Sequence, residues 1–185
     1  MPRLFTALEV PAELAEELAS LRGGLSGARW IEAEDYHLTL RFVGDIDEAT
    51  ANDLDAELSR IRRGPVTVTL EGLGAFGGDK PRAIVARVQA SSALAELQAE
   101  QERAVRRVGL PAEPRKFTPH VTVARLRGTS PLAVADYLGT RGFLTRRFTA
   151  ERVVLFSSRD SVGGGPYMVE AAYPLDGTAG ARRRA

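Results

Sequence analysis

Seven apolar or alternating runs along the chain have the length and the pattern of β-strands. They cover residues 4–10, 36–43, 66–73, 82–88, 120–126, 152–157 and 167–173. Two pairs of these runs follow one another without a helical pattern between them. The intervening segments, GAFGGDKP and RDSVGGGP, supply the glycine and proline that turns use. Each of these pairs is therefore predicted to form an antiparallel hairpin.

Four helices are predicted between the strands, because apolar side chains recur there at spacings of three and four residues. The stripes are Leu14, Leu18 and Leu21; Ala51, Leu54, Leu58 and Ile61; Leu94, Leu97, Val105 and Val108; and a shorter one over 132–138 after Pro131. The third helix is expected to begin at Ser91 or Ser92 and to end at Gly109. Helices mixed with hairpins predict an α+β fold with mainly antiparallel sheet, not a doubly wound parallel sheet.

The order of elements in the first half of the chain recurs in the second half. Strand, helix, strand and helix are repeated by strand 82–88, helix 91–108, strand 120–126 and helix 131–139. A duplication of this kind would place the second strand of each half side by side at a pseudo-twofold axis. We expect residues 1–175 to form one bilobal domain and 176–185, which lack apolar periodicity, to be a disordered tail.

Composition excludes several classes of protein. The chain has 185 residues, 44% of them hydrophobic, and no cysteine, so disulfides and thiolate metal sites are excluded. The N-terminus turns acidic too early for a signal peptide, and no apolar run is long enough to span a membrane, so we expect a cytoplasmic enzyme or binding protein. A net charge of +1 argues against bulk electrostatic binding of long nucleic acid. All but two of the 25 cations are arginine, which can bind phosphate with two parallel hydrogen bonds.

The two histidines of the chain stand in the same local pattern, HLTL at 37–40 and HVTV at 120–123. Because side chains alternate along a strand, His37 shares a face with Thr39, and His120 shares a face with Thr122. Two buried structural histidines are one interpretation. A zinc site is another, although it is disfavoured by the absence of HExxH and by the poor ligand quality of threonine.

The chemistry that best suits two imidazoles and two hydroxyls is in-line displacement at phosphorus. One imidazole takes a proton from the attacking oxygen and the other protonates the leaving oxygen, while neutral donors stabilise the phosphoryl oxygens. Imidazoles can take both roles near neutral pH, and no metal is required.

Two further residues are candidates for this site. Arg41 is in phase with His37 and is a candidate for substrate binding. Phe42 could stack on a base, although packing in the core is the alternative.

These motifs, with RLFTALEVP, GLGAF and PRKFTPHVTVAR, resemble the two-histidine phosphoesterase superfamily from about residue 3 to residue 175. The resemblance is to the branch of RNA 2′,3′-cyclic phosphodiesterases, also called 2′-5′ RNA ligases. The sequence departs from that branch at IVARV, 84–88, where relatives often read VLWAGV, and at Tyr36, where a small polar residue is common.

The resemblance implies a bilobal fold with helices outside a central cleft, and metal-independent opening of an RNA or nucleoside cyclic phosphate to a 2′-phosphomonoester without a cofactor. It implies that His37 is the proton donor and His120 the proton acceptor, and that Thr39, Thr122 and Arg125 bind the phosphate. Arg125 is out of phase with His120 on a regular strand, so it reaches the site only if twist or a bulge turns it. A monomer without an obligate protein partner or membrane contact is expected. Ligation through the same site, and RNA-end binding without turnover, remain alternatives.

Overall fold

The computed structural model describes residues 3–143, 145–158 and 165–177. A single 3-10 turn, Ala33–Asp35, precedes the third strand in this part of the chain. The strands and α-helices are β1 Arg3–Glu9, α1 Ala12–Ala19, β2 Ala28–Trp30, β3 His37–Asp45, α2 Glu48–Leu58, β4 Val66–Phe76, β5 Ala83–Val88, α3 Ser92–Arg107, β6 His120–Leu126, α4 Pro131–Thr140, β7 Arg146–Ala150, β8 Arg152–Ser157 and β9 Met168–Pro174.

Side-chain caps fix where three of the helices begin. The backbone N–H of Leu94 donates to Ser91 Oγ at 3.2 Å, so α3 begins where the sequence predicts. Asp47 and Ser130 cap α2 and α4 in the same way. The helices α1 and α2 end earlier than predicted, before Leu21 and Ile61, which lie in the loops that follow.

The strands form one antiparallel sheet in the order β7-β4-β5-β6-β3-β1-β8-β9, with β2 added to β6. The predicted hairpins are confirmed as the pairs β4–β5 and β8–β9. Most of the segment that was predicted to form the second turn, 159–164, lies outside the described residues. Two strands were not predicted, because β2 has only three residues and β7 has the polar sequence RRFTA.

The strand order is symmetric about the central pair β6–β3. On either side of it, β5 corresponds to β1, β4 to β8 and β7 to β9. The strands β3 and β6 are antiparallel neighbours through Leu38 and Val121. The predictions of an α+β antiparallel fold and of neighbouring HxT strands are therefore confirmed.

The helices cover one face of the sheet. Their apolar stripes pack with strand residues in a single large core, which includes Leu38, Leu40, Val121 and Val123. The other face, called the open face here, carries a small separate cluster of Phe5, Ala7, Val154 and Phe156. Among the described residues, no helix is long and apolar enough to cross a membrane. Most of the predicted tail, from 178 onward, is outside the described residues.

Candidate active site

Both HxT motifs present their histidine and threonine on the open face. Leu38 and Val121 face each other across the central strand pair and are 0% exposed in the core. Because side chains alternate along each strand, the residues that flank them point the opposite way. Antiparallel register about this pair sets His37 opposite Thr122 and Thr39 opposite His120. The structure thus brings the four predicted side chains together.

Each histidine is oriented by a backbone carbonyl two residues before it. His37 Nδ1 lies 2.8 Å from the carbonyl oxygen of Asp35, and His120 Nδ1 lies 2.7 Å from that of Thr118. A carbonyl can only accept a hydrogen bond, so Nδ1 carries the proton in both rings. In each ring, Nε2 is left as the nitrogen that can take or give a proton.

Aromatic rings surround His37 more completely than His120. The His37 ring centroid lies 4.9 Å from that of Phe5, 5.0 Å from that of Tyr167 and 5.9 Å from that of Phe156. His120 has an edge contact with Phe76 at 4.7 Å. The apolar walls disfavour the charged form of an imidazole because they exclude water.

The pKa values of the two histidines reflect these surroundings. Burial lowers the pKa of His37 to about 4, and the positive charges of Arg125 and His120 act in the same direction. Burial and the charge of Arg125 also lower the pKa of His120. Both rings are therefore biased toward the neutral form while the site holds no anion.

A β-bulge turns Arg125 onto the open face. The β5–β6 register passes from Ile84 opposite Ala124 to Val85 opposite Thr122, so Val123 is an extra residue in β6. Val123 and Ala124 are consecutively buried, and the exposed Arg125 recovers the phase of His120. This bulge meets the condition under which Arg125 is expected to reach the site, and the charge of Arg125 acts on both histidines.

A second bulge, in β3, removes Arg41 from the site. The β1–β3 register skips Leu40, so Arg41 points into the helical layer and is 7% exposed. There its guanidinium donates to Glu102 and, at 2.6 Å, to the carbonyl oxygen of Pro111. The expectation that Arg41 shares a face with His37 is therefore wrong, because it assumed unbroken alternation.

The same bulge returns Phe42 to the open face. Its side chain is 49% exposed, and its ring centroid lies 5.8 Å from that of Phe5. Phe42 is therefore not a core residue, and its outer ring face is free for contact with a flat ligand.

Other residues at the site could not be identified from the sequence. Arg29 on β2 lies directly opposite Arg125, so two guanidinium groups start from neighbouring positions on the open face. The rings of Phe5, Phe76 and Tyr167 form the walls around the histidines. A three-residue strand and contacts between distant segments leave no periodic signal, although the quoted GLGAF motif does contain Phe76.

The site offers few ligands for a metal ion. In the part of the chain that the structure describes, no three histidine or carboxylate side chains gather in a metal-binding group. The carboxylate of Asp35, two residues before His37, accepts the backbone N–H of Tyr167 at 3.1 Å. This hydrogen bond ties Tyr167 to the segment before His37, while burial raises the pKa of the Asp35 carboxyl group.

The chain matches the model of a known family twice. The family is described as LigT like phosphoesterase, and the matches cover residues 8–86 and 85–167. The chain belongs to this family. Each match contains one HxT strand, so the predicted duplication is confirmed. The family description identifies the chain as a phosphoesterase.

Individual relatives agree with this assignment. The chain is 35% identical over 121 residues to the RNA 2′,3′-cyclic phosphodiesterase of Aeropyrum pernix, covering 62% of this chain and 69% of the relative. It is 29% identical over 182 residues to the protein of the same name from Geobacillus stearothermophilus, covering 94% of this chain but only 57% of that relative. The crystal structure of E. coli LigT complexed with 3′-AMP has the same fold, with a TM-score of 0.76, 24% identity and coverage of 95% and 99%.

Proposed function

We propose that the protein opens RNA 2′,3′-cyclic phosphate ends, or nucleoside 2′,3′-cyclic phosphates, to 2′-phosphomonoesters by metal-independent acid–base catalysis. The observation that carries the proposal is the antiparallel pair Leu38–Val121, which sets two HxT motifs face to face on one surface. The names of the Aeropyrum and Geobacillus relatives support the choice of substrate. The cyclic ester forms only where a 2′-hydroxyl is present, so the substrate is a ribonucleotide and not DNA.

The reaction proceeds by in-line displacement at phosphorus. His120 Nε2 takes a proton from water, and the water oxygen bonds to phosphorus as the P–O3′ bond breaks. His37 Nε2 gives its proton to O3′, so the phosphate stays on O2′ and no charge is left on the ribose. The order of the two roles follows the family resemblance.

Positive charge and hydroxyl donors stabilise the phosphoryl oxygens. Thr39 and Thr122 lie opposite the histidines and supply neutral donors, while Arg125 supplies a charged fork. Arg29 lies directly opposite Arg125, so it adds a second positive charge on this side of the site.

Substrate binding adjusts the protonation of the acid. With a pKa of about 4, His37 is neutral at pH 7 in the free protein. A phosphate anion placed beside it favours the imidazolium and raises its pKa. The substrate therefore helps to bring His37 into the protonated form that the reaction requires. The pKa of His37 falls again when the product leaves.

Hydrolysis of a nucleoside 2′,3′-cyclic phosphate in the presence of a chelator tests the proposal. We expect the 2′-phosphate as product, and losses of at least about 100-fold in kcat for His37→Ala and for His120→Ala. Loss of turnover in chelator, a 3′-phosphate product, or a folded histidine variant with near wild-type rates would each contradict the mechanism. Cyclic nucleotide recovered unchanged from the wild-type protein would indicate an RNA-end-binding module.

The reverse reaction uses the same groups. A 5′-hydroxyl RNA end in place of water gives a 2′-5′ bond, so adding such an RNA to the assay separates hydrolysis from ligation. We expect hydrolysis to dominate, because water is present at roughly 55 M and the partner hydroxyl must be bound and oriented to compete.

A further inference from the structure

The two histidines have cross-strand neighbours of opposite charge. His37 lies opposite Glu9 of β1, and His120 lies opposite Arg87 of β5, so Glu9 and Arg87 are equivalent under the pseudo-twofold symmetry. Glu9 is neutralised by Arg152, with two N–O distances of 2.7 and 2.9 Å. Arg87 is exposed, and among the residues that the structure describes no carboxylate forms an ion pair with it.

Two glycines leave space for the Arg87 side chain to lie flat against the sheet. Gly72 lies opposite Arg87, and Gly74 lies next to it along β4. A Cβ atom built on Gly74 would lie 3.0 Å from Arg87 Cδ and 3.2 Å from Cγ, so the arginine stem occupies the space that a larger residue would fill. The guanidinium reaches Gly72, where a Cβ atom would lie 3.8 Å from Nη2. Arg87 therefore extends over β4 on the open face, away from His120.

This position is suited to a second phosphate. Neighbouring strands are about 4.8 Å apart, which places the guanidinium about 5 to 10 Å from His120. The phosphate group held between the two histidines is therefore beyond hydrogen-bond distance of the Arg87 guanidinium. The Arg87 guanidinium can, however, reach another group of the same nucleotide. The reacting phosphate already has Arg125 as its charged donor. Beyond β4, the exposed Arg147 of β7 continues the positive charge outward, opposite Thr69.

We propose that Arg87, lying on Gly72 and Gly74, binds the phosphodiester that joins the terminal nucleotide to the rest of the RNA. The inference rests on the proposed function and extends it, since the preferred substrate becomes an oligonucleotide end and not a free cyclic nucleotide. The RNA backbone then runs from the histidines over β5 and β4 toward Arg147. The part of the open face formed by β3 and β1, with Phe42 and Phe5, is left for the base.

The test compares kcat/KM for two substrates that end in the same cyclic phosphate, a nucleoside 2′,3′-cyclic phosphate and the corresponding dinucleotide. We expect the wild-type protein to prefer the dinucleotide and Arg87→Ala to reduce this preference about tenfold, the size of one charge-assisted hydrogen bond. Arg106→Ala, which removes an exposed arginine from α3 on the opposite side of the sheet, is the matched control and should keep the preference.

A dinucleotide with an uncharged methylphosphonate linkage isolates the contact. It should lose the preference with the wild-type protein and lose nothing further with Arg87→Ala. The proposal is overturned if the wild-type protein shows no preference, if Arg87→Ala affects both substrates equally, or if Arg106→Ala has the same effect. Failure of the proposed function is a separate result, because neither substrate would then be hydrolysed.

Discussion

Phe42 and Arg125 occupy equivalent positions in the two halves of the protein. Each is the fifth residue after the histidine of its strand, and each follows a bulge that turns it onto the open face. One position carries an exposed aromatic ring and the other carries a positive charge. A symmetric backbone thus supports an asymmetric surface, which matches a nucleotide with its base on one side and its phosphate on the other.

Replacing Phe42 tests the base-binding side. We expect Phe42→Ala to raise KM for a nucleoside cyclic phosphate about tenfold, since loss of one base–aromatic stack costs about 1–3 kcal/mol. Phe42→Trp should retain binding. Ribose 2′,3′-cyclic phosphate, which has no base, should be hydrolysed equally by the wild-type protein and Phe42→Ala. An equal loss with this substrate would show that Phe42 supports the fold of the site and not the base.

Replacing Arg125 should change both rate and pH dependence. Its charge lowers the pKa of both histidines, so Arg125→Gln should raise both values and move the kcat/KM profile to higher pH. We also expect kcat/KM to fall about 100-fold, because a phosphate donor is lost. NMR titration of the two imidazoles in the free protein measures the pKa change directly. Unchanged titrations would show that Arg125 lies too far away to act on them.

The sequence was sufficient for the four helices and for seven of the nine strands in the described part of the chain, but not for every side chain. The strand 120–126 was predicted at its observed bounds, and alternation placed His37 and Thr39 correctly because both precede the β3 bulge. Alternation failed at Arg41, which follows the bulge. A bulge depends on pairing with neighbouring strands, and no residue such as glycine marks Leu40 or Val123 as its site. The aromatic walls likewise depend on contacts between segments far apart in the chain.

Arg41 should contribute to stability and not to substrate binding. Arg41 is buried but Glu102 is only partly buried, so loss of their charged hydrogen bond in Arg41→Met should lower the free energy of unfolding by about 1.5–3 kcal/mol. Glu102 also accepts the N–H of Glu113, so the loop before β6 should loosen as well. Urea unfolding measures the loss, and Glu102→Gln added to Arg41→Met should cost little more. A variant with unchanged stability but a higher KM would place Arg41 in contact with substrate.

The lowered pKa of His37 predicts a specific loss of stability in acid. The ring titrates near 6.5 in the unfolded chain and near 4 in the folded protein, so the unfolded state binds more protons between these values. Stability from this group is therefore lost as pH falls from 6.5 to 4, by about 3 kcal/mol in total. The free energy of unfolding of His37→Gln should fall less steeply over that range. Asp35 and His120 titrate in both proteins, so the difference between the two curves isolates His37, and parallel curves would contradict the lowered value.

The order of the acid and base roles can be decided with a leaving group that needs no acid. Replacing O3′ by sulfur in the cyclic substrate gives a thiolate, which departs with little protonation, so the variant that lacks the acid should recover most of its rate. We expect rescue of His37→Ala and not of His120→Ala, measured as the ratio of kcat for the sulfur and oxygen substrates. The enclosed surroundings of His37 provide a competing argument, because a ring that is neutral in the free protein is ready to act as a base. Rescue of His120→Ala alone would therefore exchange the two roles, and rescue of neither would show that protonation of O3′ is not the step that the second histidine serves.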